Sequence, residues 1–261
     1  MKNFKLTSLA VSLGIVAAGC LPASVLLTVA GSTDVFLAGQ AATTGCATSS
    51  PGCAPTTGNN SEVDFIPTAG NILTIFNPSS PGPVWVTGGV SPGTCPACVL
   101  TTSGDGLNYG SQPPATNITS GNNISGIQFT GIEMFLIGVF LGPTTPAAPV
   151  ANLPDYAVGG ASNNATFTPL VGQAFFIGDG LTGTGSGALQ QFVVPTGATR
   201  LFLGFADAPS FSGQASMYGD NSGSLSAWIQ IQPASVPEPR TIVLMIAGLA
   251  ALALGRKKLF A

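Results

Sequence analysis

The chain has 261 residues, of which only 7% are charged: seven are Lys or Arg, ten are Asp or Glu and none is His, for a net charge of −3. With no His, no Ser–His or Cys–His pair can activate a nucleophile. Six of the seven basic residues (Lys2, Lys5, Arg240, Arg256, Lys257 and Lys258) lie in the two end segments, so Arg200 alone cannot make a nucleic-acid patch in the body.

The length allows one large or two small domains. An apolar content of 45% is ample for a core, and 35 Gly with 21 Pro punctuate the chain into short pieces. Many short strands joined by Gly/Pro turns predict an all-β, antiparallel sandwich. The carboxylates of the body (Asp34, Glu62, Asp64, Asp105, Glu133, Asp155, Asp179, Asp207 and Asp220) show no catalytic spacing. A two-carboxylate hydrolase could assemble only from distant positions, and the chain is not expected to be an enzyme.

Residues 1–23 are predicted to be a signal peptide. Lys2 and Lys5 precede an apolar run from Leu6 to Ala18, and small residues follow it. Cleavage is expected within Ala18–Ser24, which removes Cys20; Ala17-Ala18-Gly19-Cys20 alternatively resembles a lipobox that would lipidate Cys20. The body, 24–235, then retains Cys46, Cys53, Cys95 and Cys98. An even number in an exported chain points to disulfides, with three pairings possible. Local pairing, Cys46–Cys53 and Cys95–Cys98, needs no long-range closure. Cys95-Pro96-Ala97-Cys98 also has redox or zinc spacing, but no helical pattern follows it and no second close pair accompanies it.

In the body, strands are expected at Val25–Val29, Val35–Leu37, Ile72–Phe76, Val84–Thr87, Met134–Leu141, Phe175–Gly178, Gln191–Val194, Arg200–Phe205 and Leu225–Ile231. Met134–Leu141 is apolar enough to be central. The last strand alternates Leu225, Ala227, Ile229 and Ile231 with polar neighbours, so one face is buried. Residues 41–60 and 92–114 read as long loops.

The last segment, 236–261, combines Pro237-Glu238-Pro239, an apolar run from Ile242 to Leu254, and the cations Arg256, Lys257 and Lys258. The run is short for a bilayer, where about 20 apolar residues span comfortably. Snorkelling of the cations or local thinning would make up the difference. The cations orient this end inside and the body outside. These three parts in this order resemble the PEP-CTERM sorting signal of exported bacterial proteins. That resemblance implies export through signal peptidase, an inner-membrane anchor, then processing near Pro237–Pro239 by an exosortase and release to the cell surface or extracellular matrix.

Between the last two strands lie Asp207, Tyr218, Asp220 and Asn221, with Gly219 and Gly223 to turn the backbone. Oxygen side chains on a turning loop suit Ca2+, which takes six to eight oxygens; Asp and Asn in such a place also cap ordinary turns. Leu201–Phe205, Asp207, Pro209, the run Tyr218-Gly219-Asp220-Asn221-Ser222-Gly223-Ser224 and the closing strand resemble the end of LecA-type calcium-dependent galactose-binding lectins. The resemblance implies a galactose-binding-domain-like jelly roll. It implies calcium ligands at Asp207, Asp220 and Asn221 and at the Met217 carbonyl, with a further carbonyl from beyond Val84–Thr87. Asp220 stands where that family has Asn, and the family's sugar-holding His has no counterpart. Contacts to carbohydrate, an extracellular polysaccharide for instance, would fall to the calcium, Asp207, Asp220 and a stacking Tyr218. The alternative is a purely structural surface or matrix protein in which the loop is only a turn.

Overall fold

The computed structural model describes residues 23–40, 62–64, 71–75, 86–91, 104–106, 115–152, 155–156, 160–183 and 187–232. The signal segment, all five cysteines, the loop at 41–60, most of 92–114 and the sorting segment with Pro237, Glu238, Pro239, Arg256, Lys257 and Lys258 lie outside the described residues.

The described residues are all-β, with short 3-10 turns and no α-helix among them. The strands are β1 (Ala23–Ala30), β2 (Glu62–Asp64), β3 (Ile72–Ile75), β4 (Val86–Ser91), β5 (Ala115–Ile118), β6 (Ile127–Thr130), β7 (Leu136–Leu141), β8 (Thr166–Phe167), β9 (Ala174–Phe176), β10 (Gln191–Val193), β11 (Arg200–Phe205), β12 (Ser212–Gly213) and β13 (Ser222–Gln232). One sheet runs β1-β13-β3-β10-β8, with β4 also on β13; a second runs β2-β11-β7-β9; a third runs β12-β5-β6.

β13 is the spine of the first sheet. Its Ser224–Ile231 stretch pairs antiparallel with the whole of β1, while its other edge carries β4 and then β3. Leu225, Ala227 and Ile229 of β13 are buried, as the period-two pattern predicts, and meet the core that also holds Leu27 and Val29 of β1. In the second sheet every residue of β7 is buried, because β11 and β9 flank it and both its faces are covered. Rings knit the layers together: Phe140 stacks on Phe175 at 5.2 Å, Phe175 meets Phe192 of β10 at 5.5 Å, and Phe192 stacks on Phe167 at 5.3 Å. Phe129 of β6 meets Phe135 at 5.0 Å and Phe176 at 5.2 Å, which ties in the third sheet. Each such pair adds about 0.5–1.5 kcal/mol beyond its buried area.

Three expectations need correcting. The sheets are not purely antiparallel: β8 pairs parallel with β10, and β12 with β5. Val35–Leu37 is a 3-10 turn rather than a strand, because the Asp34 carboxylate accepts from the Phe36 N–H at 2.9 Å and folds the chain back. The central strand begins at Leu136 rather than Met134, whose φ of 51° places it in the left-handed region and turns the chain between β6 and β7.

The turn at 33–37 lies directly against β11. Asp34 bridges in parallel to Phe205, and the Phe205 N–H donates to the Thr33 carbonyl at 3.2 Å. Gly204 permits this approach: a Cβ there would sit 2.8 Å from the Thr33 oxygen and 2.9 Å from the Val35 nitrogen. Both are backbone atoms, so Gly204→Ala must push the segment away. The substitution is expected to cost roughly 1–3 kcal/mol, as overpacking does, seen as a lower thermal midpoint; an unchanged midpoint would show that residues 33–35 can retreat freely.

Candidate functional site

Two carboxylates are buried where β11 ends. Asp34 is 1% exposed and Asp207 is 3% exposed. Asp34 arrives from the turn that follows β1, and Asp207 from the backbone two residues past Phe205. The loop from Asp207 to β13 closes over them. The Tyr218 hydroxyl donates to the Phe205 carbonyl at 2.8 Å and accepts from the Asp207 N–H at 3.2 Å. The Ser216 N–H donates to the Asp207 carbonyl at 3.2 Å. Asn221 then joins both halves: its Nδ2 donates to Asp207 Oδ2 at 2.8 Å and to the Gly31 carbonyl at 3.1 Å. Beside it, the Gly31 N–H donates to the Gly223 carbonyl at 2.9 Å.

The other oxygen of that amide, Asn221 Oδ1, is buried and has no hydrogen-bond partner. A buried acceptor left unmade costs about 1–3 kcal/mol, and here it belongs to an amide whose nitrogen already touches Asp207. A hard cation would satisfy it. No cluster of three or more His, Cys, Asp or Glu side chains occurs among the described residues, so any such site must combine carboxylates with amide and backbone oxygens. Arg200, the sole Lys or Arg among the described residues, starts β11 at its other end, about 16 Å away along an extended strand. There its guanidinium donates twice to the Gly142 carbonyl and lies over the Phe202 ring.

Of the residues expected from sequence, the fold brings Asp207, Tyr218 and Asn221 together. Met217 has φ 75°, a strained left-handed conformation, at the start of the 3-10 turn Tyr218–Asp220. The side chain of Asp220 lies outside what the structure describes. The stacking role expected of Tyr218 needs correcting: its ring is fully buried, so it presents no face to a ligand and instead ties Asp207 to β11. Asp34 was missed. An Asp just before the apolar run Val35-Phe36-Leu37 is a cap signature, but nothing local links it to a loop some 170 residues on.

Burial dominates the electrostatics. It pushes the Asp34 carboxyl up to about 7; the Phe36 N–H opposes the rise, the Asp207 charge adds to it, and the nearby Tyr218 hydroxyl opposes it. That hydroxyl has one proton, and the 2.8 Å geometry assigns it to the Phe205 carbonyl rather than to Asp34. Burial also drives the Tyr218 hydroxyl well above the usual range, and the charges of Asp34 and Asp207 push the same way. Glu133, half-buried on the turn before β7, is raised to about 7 by burial.

No family model, curated protein or solved structure matches this chain.

Tyr218→Phe deprives the Phe205 carbonyl and the Asp207 N–H of a partner, and is expected to cost about 1–3 kcal/mol in unfolding free energy. The pH dependence has a definite sign. Asp34 holds its proton more tightly folded, at about 7, than unfolded, near 3.8, so its contribution is full below 3.8 and is lost as the pH rises towards 7. Glu133 acts in the same direction. In chelator the thermal midpoint should therefore fall between about pH 4 and pH 7, and Asp34→Asn should flatten that fall. A midpoint that rises over the same range would contradict this account.

Proposed function

We propose that this chain is an exported bacterial surface or extracellular-matrix protein whose lectin-like β-sandwich, of the galactose-binding-domain-like jelly-roll kind, binds Ca2+ beside the loop 206–224 and through it carbohydrate. The observation that carries the reading is the Asn221 amide: its nitrogen is held by Asp207 and Gly31, and its buried oxygen is left without a donor. Asp207 and Asn221 Oδ1 are the side-chain ligands, Asp220 adds a second carboxylate from the same loop, and the strained Met217 supplies a carbonyl. Bound calcium offers an oxygen-seeking charge to which sugar hydroxyls can add. With no His in the chain and Tyr218 buried, sugar contacts rest on the cation, Asp207 and Asp220.

Export rests on the two ends of the sequence. The lysines and apolar run of 1–23 address the chain to signal peptidase. Pro237, Glu238, Pro239, the apolar run and Arg256-Lys257-Lys258 address it to an exosortase, with an inner-membrane anchor until processing. Such a chain works outside the cell, where millimolar calcium suits a modest extracellular site.

Thermal unfolding of the purified full-length chain, in calcium and in chelator, tests the reading. A ligand that binds only the folded state stabilises it by about 2.7 kcal/mol at a hundred times its Kd. The midpoint should climb with calcium concentration, Asp207→Ala should abolish the climb, and a glycan array in calcium then finds the sugar. A midpoint indifferent to calcium would reduce the loop to a turn and leave a structural surface protein.

A further inference from the structure

The ligands proposed above all come from one loop, yet the fold places a further carboxylate beside them from the opposite end of the body. We infer that Asp34 is a direct ligand of the cation held by Asp207 and Asn221, so that binding joins the turn after β1 to the loop before β13. This rests on the calcium reading and extends it to a residue outside the 206–224 loop.

Three independent placements carry it. First, Asp34 bridges to Phe205, the last residue of β11, and Asp207 follows two residues later, so both carboxylates leave the backbone at the same end of one strand. Second, Asn221 spans the two chain segments: one amide nitrogen serves both Asp207 Oδ2 and the carbonyl of Gly31, three residues before Asp34. Its partnerless oxygen belongs to the amide that joins the two segments. Third, the cap at Asp34 uses a single carboxylate oxygen. Oδ1 caps the 3-10 turn through the Phe36 N–H, and one oxygen of a carboxylate suffices for a cap.

The chemistry is that of a divalent, oxygen-preferring cation. Asp34 and Asp207 together carry the charge of two that such an ion neutralises, and Asn221 Oδ1 adds a neutral oxygen. A buried like-charged pair is unfavourable until a cation lies between its members. The same pair would make the ion a clasp: the first strand of the body and the loop before its last strand would be tied by one bound atom, beside the Gly31–Gly223 hydrogen bond that already joins them.

The test is calorimetric titration of Ca2+ into the full-length chain and into Asp34→Asn, Asp34→Ser and Asp207→Asn. Asn and Ser both retain an oxygen able to cap Phe36, so in chelator these variants should melt no lower than the parent. Calcium affinity should fall about tenfold or more in either Asp34 variant, since affinity follows the number of charged ligands. Hydrogen exchange on the unaltered chain gives a second readout that needs no variant: calcium should slow exchange at residues 31–37 as well as at 216–223. Calcium binding that survives undiminished in Asp34→Asn, or protection confined to the 207–221 loop, would remove Asp34 from the site and leave the calcium reading standing. A parent chain that binds no calcium would overturn both.

Discussion

A carboxylate taken out of water must be given partners, or it will hold its proton. This fold buries two of them together, in a chain that has few charges to spare. Asp34 receives the Phe36 N–H, and Asp207 receives the Asn221 amide. Most of the surrounding geometry serves that juxtaposition. Gly204 lets residues 33–35 lie on β11, the Asp34–Phe205 bridge holds them there, and the Tyr218 hydroxyl pins Asp207 to the same strand end. Neither carboxylate would be where it is without the other's segment.

The frame behind the site is rigid for a plain reason. β7 is apolar and buried along its length and β11 is so after Arg200, and the rings of Phe140, Phe175, Phe192 and Phe167 connect the second sheet to the first. Such a frame can carry an irregular loop without losing its shape. The loop after β11 is irregular indeed: Ser210, Phe211 and Met217 all adopt positive φ. It is anchored midway, where β12 pairs with β5 and the Thr119 N–H donates to the Gly213 carbonyl at 2.8 Å. Strain at three residues persists because the anchors on either side over-determine the path.

Tyr218 shows how a side chain changes role between sequence and structure. Beside Asp220 and Asn221 it reads as a surface ring suited to a sugar. In the fold its apolar body fills the core and its hydroxyl is the polar tip that a buried tyrosine needs to satisfy. It fixes the position of Asp207 and shows no face to solvent. The same logic applies to Asn221, whose nitrogen joins two chain segments while its buried oxygen has no hydrogen-bond partner.

Several features were legible before any coordinates. Gly and Pro content with alternating apolar residues predicted the all-β class; Arg200–Phe205 and Leu225–Ile231 fell within observed strands, and the Leu136–Leu141 part of Met134–Leu141 is central, because period and composition act over a few residues. The loop with Asp207 and Asn221 was legible for the same reason, since its members lie close in sequence. What sequence could not show was anything set by residues far apart. The parallel pairing of β8 with β10 and the burial of Tyr218 depend on which distant segment lies alongside. Above all, only the tertiary structure decided that Asp34 stands beside Asp207, because the bridge between the turn after β1 and the end of β11 is written in no local pattern. It arises from distant segments closing on one core, with Gly204 where the Thr33–Val35 backbone lies against β11.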